Sequence, residues 1–162
     1  MRIYLVRHGL AEPSAGSDDT ARALTAKGRN RVAQIARGLR KLQAHPGLIL
    51  TSPLRRAQET AVILARGLGS IGLAELPELA PGAASAAEVR QALAGYHDLA
   101  ELMLVGHLPD LSHLASYLLT GLDRSCELEF KKGATACFQA DSPDALRFSL
   151  GWLLQPRVLR RL

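Results

Sequence analysis

The chain has 162 residues, of which 48% are hydrophobic and 22% are charged, a balance typical of folded rather than disordered proteins. We expect a single domain over residues 1–162. The formal net charge of +5 favours anionic partners, but the scarce aromatic and dispersed basic residues argue against nucleic acid. The sequence shows no transmembrane run, no signal peptide and no metal or disulfide pattern at Cys126 and Cys137, which predicts a cytoplasmic protein with no membrane partner.

The first predicted element is a buried strand, Ile3 to Val6, which runs directly into Arg7-His8-Gly9. A polar loop, residues 11–22, follows it, and long loops in compact domains often line functional sites. Apolar residues at helical spacing then predict a helix that begins after Thr25, its N-cap.

The second predicted strand, Leu48 to Thr51, is followed by Ser52-Pro53, which we predict to be the N-cap and first residue of a helix. Arg55 and Arg56 then fall in the first helical turn, where a cation is disfavoured by a few tenths to about 1 kcal/mol. A bound anion would resolve this conflict, because a guanidinium and the free N–H groups of the helix would both face it. Alternatively, both arginines extend into solvent.

The third predicted helix begins at a capping box, Ser85 to Glu88, and the third buried strand, Leu102 to Val105, runs into Gly106 and His107. Asp110 or Ser112 is the predicted N-cap of the next helix. The remaining pattern predicts strands over 73–76, 127–130, 135–139 and 146–153, a hairpin turn at Lys132-Gly133 and a basic surface tail over 157–161.

The alternation of strands and helices up to about residue 121 predicts an α/β fold, with a mostly parallel central sheet flanked by helices on both faces. The late strands near the C-terminus would add antiparallel edge strands. Ligands of open α/β sheets bind beyond the carboxyl ends of the strands. Because Arg7, His8, an arginine at 55–56 and His107 follow strand ends, we expect their side chains to converge.

Two histidines with two or more arginines favour anion chemistry. A zinc site needs three or four ligands and arginines would repel the cation, and no Gly-x-Ser-x-Gly elbow supports a serine triad. We therefore expect no metal and no cofactor. Arginines can bind phosphate oxygens, a neutral His8 can attack phosphorus, and His107 can donate to an oxygen as charge develops.

Three segments resemble the motifs of the histidine phosphatase (phosphoglycerate-mutase-like) superfamily. They are Leu5-Val6-Arg7-His8-Gly9 for the RHG signature, Ser52 to Thr60 for the block S-x-x-x-R-A-x-x-T, and Val105-Gly106-His107 for the third block. The resemblance implies the fold of that superfamily and makes His8 the phosphorylated nucleophile, with Arg7, Arg56 and His107 in the phosphate pocket. It also selects Arg56 over Arg55, because the arginine of the family directly precedes the alanine.

Within the superfamily, the chain is similar to the short SixA-type phosphohistidine phosphatases. Its length fits, as do the segments Arg22 to Gly28, Leu76 to Gly82 and His107-Leu108-Pro109. The resemblance implies hydrolysis of phosphohistidine on a partner protein, with inorganic phosphate as product and Arg22 helping to hold phosphate.

Glu78 lies in the segment where larger relatives carry a general acid, which an alkoxide leaving group needs. SixA-type members are thought to manage without one. One alternative function is therefore a small-molecule phosphomonoesterase that uses Glu78 as general acid. Another is a non-catalytic module that binds a phosphoprotein or a nucleic acid.

Overall fold

The computed structural model describes residues 1–13 and 19–162, so residues 14–18 of the predicted polar loop lie outside the described part. The strands are β1 Arg2–Arg7, β2 Leu48–Thr51, β3 Gly72–Glu75, β4 Glu101–Gly106, β5 Thr135–Gln139 and β6 Ser149–Leu154. The helices are α1 Ala26–Lys41, α2 Arg55–Leu68, α3 Ala86–Ala92, α4 Asp110–Thr120 and α5 Pro156–Leu159, with short 3-10 helices at Pro77–Leu79 and Leu93–Tyr96.

The strands form one sheet in the order β3-β2-β4-β1-β5-β6. The pairs β3–β2, β2–β4 and β4–β1 are parallel, whereas β5 pairs antiparallel with both β1 and β6. The predicted α/β fold, with a mostly parallel sheet and antiparallel strands near the C-terminus, is therefore confirmed.

Alternate residues of the central strands supply two separate cores. Ile3 and Leu5 of β1 pack in a cluster with α3 and α4, whereas Tyr4 and Val6 pack on the opposite face with α1 and α2. All four side chains are buried, because successive residues of a strand point to opposite faces of its sheet. This two-sided burial explains why the central strands are almost continuously apolar.

Two predicted helix starts are confirmed. The Thr25 hydroxyl accepts a hydrogen bond from Gly28 N at the start of α1, and Ser85 and Glu88 form a capping box at α3. These caps satisfy amide groups that the first helical turn leaves without an intrahelical acceptor.

The predicted caps of α2 and α4 are wrong. Helix α2 begins at Arg55 and has Leu54 in the N-cap position, while α4 begins at Asp110 after Pro109. Ser52 instead contacts His107, with Oγ 2.8 Å from the ring Nε2. The Asp110 carboxylate accepts from Gly82 N, and the hydroxyl of Ser112 donates to Leu128 O. These side chains match the capping pattern but bond to other parts of the fold.

The C-terminal predictions need four corrections. Residues 127–130 form no strand, and the turn at Lys132-Gly133 leads into β5 instead of joining two strands of a hairpin. The last strand begins at Ser149 rather than at residue 146. The basic tail is not purely a surface segment, because α5 buries Leu159 completely against α1. Gly38 allows this contact, since a Cβ there would overlap the carbonyl oxygen of Leu159.

None of the helices in the described residues is long and apolar enough to cross a membrane. Cys126 and Cys137 are both free thiols, and Cys137 is buried.

Gly28 provides a test of how closely α1 must approach the chain that follows the first strand. A Cβ at Gly28 would overlap the carbonyl oxygen of Leu10 and lie 3.1 Å from Thr25 Oγ1. We expect Gly28→Ala to lower the free energy of unfolding by about 1–3 kcal/mol, measured by urea denaturation, although alanine is the better helix former. Gly95→Ala is the control, because its Cβ would meet no described atom within 4 Å. Equal urea midpoints for the two variants would contradict this packing constraint.

Candidate active site

His8 directly follows β1 and is 6% exposed. Its Nδ1 lies 2.8 Å from the backbone oxygen of Gly9. Because a carbonyl oxygen only accepts hydrogen bonds, this contact assigns the proton of a neutral ring to Nδ1. The lone pair of His8 is therefore on Nε2.

The backbone beside His8 is held by helix α2. Gly9 N donates to Thr60 Oγ1 at 3.0 Å, and that hydroxyl donates to the carbonyl oxygen of Arg56 at 2.7 Å. A Cβ at Gly9 would lie 2.7 Å from Val32 Cγ2. Glycine at this position thus permits close packing on α1 while Thr60 ties the strand end to the helix that carries Arg56.

His107 follows β4 and lies against His8, with the ring centroids 5.0 Å apart. Ser52 Oγ accepts from Leu54 N at 3.3 Å and lies 2.8 Å from His107 Nε2. The other ring nitrogen of His107 is Nδ1. That atom is buried and has no hydrogen-bond partner among the described residues.

Arg7 and Arg56 bring two guanidinium groups to the same strand ends. Arg7 Nη1 donates to the backbone oxygen of Phe130 at 2.7 Å. The Arg56 side chain is only 4% exposed and forms an ion pair with Asp19, Nη2 to Oδ2, at 2.9 Å. Within the described part of the chain, the Nε atoms of both arginines are buried without a hydrogen-bond partner. Each group thus keeps an unused donor.

Arg22 and Arg55 occupy different surroundings. Arg22 Nε lies 2.6 Å from Asp19 Oδ1, so the Asp19 carboxylate connects Arg22 to Arg56. The Arg55 side chain is 60% exposed and pairs with Glu59 at 2.9 Å on the outside of α2. The structure therefore brings Arg22 to the site through Asp19 and leaves Arg55 outside it.

Sequence reasoning did not single out Asp19 or assign Ser52 to this site. Asp19 was visible only as one of several polar loop residues, and its distance from Arg56 in the sequence conceals the contact. Ser52 carried a stronger local signal as a helix cap. Neither residue could be placed beside the histidines without the packing of α2 against the strand ends.

Glu78 lies near His107 in the 3-10 helix Pro77–Leu79. Its Oε2 atom is buried and lacks a hydrogen-bond partner in the described residues. Glu78, His107 and Asp110 line a cavity of about 10 Å³. That volume is at the lower limit for one water molecule. Glu78 thus lies beside His107 but forms no direct hydrogen bond with it.

Burial controls the charges of the site. Burial is the main reason that the pKa of His8 is lowered to about 3; the hydrogen bond to Gly9 raises this pKa, and electrostatic interactions with His107, Arg56 and Arg7 lower it. Burial and the Arg56 cation lower the pKa of His107 to about 4. Burial also lowers the pKa of Arg7 and Arg56, although guanidinium groups stay protonated in proteins. At neutral pH the site thus combines two neutral imidazoles with fixed cations, an arrangement suited to an anion.

The donor set also bears on metal binding. No group of three or more His, Cys, Asp and Glu side chains is placed to hold a metal ion within residues 1–13 and 19–162. The groups gathered at the strand ends are instead those that bind and attack a phosphoryl group.

Comparisons with known proteins agree with this chemistry. Residues 3–107 match the model of the histidine phosphatase superfamily (branch 1). The chain is 38% identical over 127 residues to an uncharacterized protein of Picosynechococcus sp., covering 75% of this chain and 74% of that protein. It is 32% identical over 126 residues to the phosphohistidine phosphatase SixA of Escherichia coli, covering 75% and 76% of the two chains.

The fold has a close counterpart among solved structures. A structure of the protein histidine phosphatase SixA complexed with tungstate superposes with a TM-score of 0.87 at 26% identity, covering 98% of this chain and 99% of that one. The sequence match extends from the first predicted strand to His107 and includes Arg7, His8 and Arg56. The resemblance noted in the sequence is therefore confirmed: the chain belongs to the histidine phosphatase superfamily and is a phosphatase.

Proposed function

We propose that this phosphatase hydrolyses phosphohistidine on another protein, through a covalent intermediate at His8 and without a metal or cofactor. The observation that carries the proposal is the neutral, buried His8 with its lone pair on Nε2 beside buried guanidinium groups. The 32% identity to a relative described as a phosphohistidine phosphatase supports the choice of substrate.

The first step is an in-line displacement at phosphorus. His8 Nε2 forms a bond to phosphorus while the bond from phosphorus to the substrate imidazole breaks, and the electron pair of that bond stays on the leaving nitrogen. The hydrogen bond from Nδ1 to Gly9 O orients the ring and stabilises the positive charge that His8 gains on attack.

Arg7, Arg56 and His107 act on the transferred group. The buried Nε–H donors of the two arginines and Nδ1 of His107 have no described protein partner, so phosphate oxygens can take that place, with His107 donating from a protonated Nδ1. Donors fixed in advance stabilise the charge that spreads over these oxygens in the transition state, and removing one costs on the order of 3–4 kcal/mol. Arg22 adds a further guanidinium at the edge of this group.

The second step regenerates the enzyme. A water molecule attacks the phosphorus of phosphorylated His8, the bond from phosphorus to Nε2 breaks, and inorganic phosphate leaves. An imidazole leaving group accepts a proton readily from solvent, so the first step does not require a dedicated acid. Glu78 is consequently dispensable for phosphohistidine, whereas the loss of an alkoxide from a phosphate ester would need it.

We also propose that the protein acts in the cytoplasm. Its two cysteines are free, and thiols persist in reducing compartments. A phosphorylated protein is then the expected partner, with no membrane and no nucleic acid involved.

The nucleophile is tested by His8→Ala. We expect turnover of a phosphohistidine-containing protein to fall about 10³-fold or more, because the covalent route is lost. Wild type should also form an acid-labile phosphoenzyme that acid-free quenching and gel electrophoresis detect, and the variant should not. His45→Ala, an exposed turn histidine, is the control and should keep both properties. Unchanged turnover in His8→Ala would exclude this role.

The lowered pKa values of His8 and His107 lead to a prediction about their titration. His8 and His107 have pKa values near 3 and 4, so both rings should stay neutral as the pH falls from 8 to 5 and gain protons only below about pH 5. The nitrogen chemical shifts of the two imidazoles, followed by NMR in the phosphate-free protein, measure this directly. Titration of His8 near the ordinary value of about 6.5 would contradict the assigned neutral nucleophile.

The substrate class is tested by Glu78→Gln. We expect the variant to retain phosphohistidine hydrolysis within about threefold, since a general acid normally contributes 10²–10⁴-fold only where the leaving group needs one. Glu75→Gln, on the exposed end of β3, is the control. A wild type that hydrolysed a small phosphate ester but left phosphohistidine proteins intact would replace the proposal with the small-molecule phosphomonoesterase.

A further inference from the structure

Among the described residues, Asp19 makes the most extensive polar contacts with the arginines of the site. Its two carboxylate oxygens divide between two guanidinium groups, Oδ1 with Arg22 Nε at 2.6 Å and Oδ2 with Arg56 Nη2 at 2.9 Å. Arg56 Nη1 also donates to the backbone oxygen of Asp19 at 2.7 Å. One residue thus supplies three oxygens to the two arginines.

This arrangement resembles the way in which guanidinium groups hold a phosphate. A guanidinium binds a carboxylate or a phosphate side-on through Nε and one Nη, so a phosphate that pairs with the unused Nε of Arg56 and with its Nη2 displaces the Asp19 carboxylate from Nη2. Arg56 is almost fully buried and needs an anionic partner to offset its desolvation, whichever anion supplies it.

Asp19 itself is placed so that it can leave. Its side chain is 51% exposed, whereas the Arg56 side chain is 4% exposed. A carboxylate at that exposure can rotate into water and be solvated there. The hydrogen bond from Arg56 Nη1 to the Asp19 backbone oxygen, together with one from Arg55 N to Thr20 O at 3.3 Å, can hold the segment in place meanwhile.

The negative charge of Asp19 also influences His107. Burial is the main reason that the pKa of His107 is low, and Arg56 lowers it further, whereas Asp19 acts in the opposite direction. The Asp19 carboxylate is therefore close enough to the candidate phosphate site to influence the pKa of His107.

We propose that Asp19 is a phosphate surrogate: its carboxylate holds Arg22 and Arg56 between turnovers, gives them up to the incoming phosphoryl group, and competes with inorganic phosphate for them when the product leaves. This inference rests on the proposed function, because it requires Arg56 to bind phosphate. If Asp19 instead stayed bound to the two arginines as a permanent support, removing its carboxylate would weaken phosphate binding.

The experiment compares wild type, Asp19→Asn and Asp19→Ala, with Asp98→Asn as the control. The Asp98 side chain is 92% exposed and contacts only His97 among the ion pairs of the described residues. Inorganic phosphate is the probe, measured as an inhibitor of phosphoramidate hydrolysis and by isothermal titration calorimetry. Arg56→Ala is included to test the phosphate site itself, and circular dichroism spectra establish that each variant is folded.

We expect both Asp19 variants to bind inorganic phosphate on the order of tenfold more tightly than wild type. This factor assumes that in wild type the two arginines are released by Asp19, and so able to bind phosphate, about a tenth of the time. The KM for phosphoramidate should fall by a similar factor, while kcat should not rise, because tighter product binding slows release. Asp98→Asn should match wild type, and Arg56→Ala should bind phosphate much more weakly.

Weaker or unchanged phosphate binding in both Asp19 variants, with weak binding in Arg56→Ala, would overturn the surrogate role and leave the proposed function intact. Phosphate binding in Arg56→Ala equal to that of wild type would instead remove Arg56 from the phosphate site and overturn both proposals together.

Discussion

The parallel pairing of β1 with β4 is the constraint on which the site depends. The register places Arg7 opposite Gly106, and His8 N then donates to the backbone oxygen of Gly106 at 3.1 Å. His8 and His107 therefore leave the sheet at the same level, and their rings meet. A shift of one residue in this register would turn an imidazole toward the opposite face of the sheet. The alternating burial of β1 on two separate cores opposes such a shift, so apolar packing remote from the chemistry holds the histidines together.

Burial links this geometry to reactivity. Desolvation keeps both imidazoles neutral, and the contact of His8 Nδ1 with Gly9 O then leaves the lone pair of that ring on Nε2. The same desolvation makes unpaired guanidinium groups costly, so the fold supplies Arg7 with the carbonyl oxygen of Phe130 and Arg56 with Asp19. Burial thus favours both anion binding and a neutral nucleophile. A substrate phosphate can accept hydrogen bonds from the arginine donors that the protein leaves partly unsatisfied.

Local sequence rules gave correct predictions for side chains that bond within their own helix. They gave wrong predictions for side chains that bond to residues of the candidate active site. Thr25 and Ser85 cap the helices that they were predicted to cap. Ser52 carries the same kind of signal, but its hydroxyl bonds to His107, 55 positions away in the chain. The predicted strand at 127–130 is absent, and the backbone oxygen of Phe130 in that segment accepts a hydrogen bond from Arg7. Departures from local rules are expected where function competes with local structure.

The amino-acid sequence by itself predicted the α/β class, the central strands and the convergence of Arg7, His8, an arginine at 55–56 and His107, because apolar periodicity and the position of polar residues after strands are local properties; the choice of Arg56 came from the family motif. Three motifs were enough to identify the superfamily. The tertiary structure decided the tautomer of His8, the exposed position of Arg55, the contact of Ser52 with His107 and the bridge from Asp19 to Arg22 and Arg56. These features depend on hydrogen bonds and burial between distant segments, which exist only after the sheet and helices have packed.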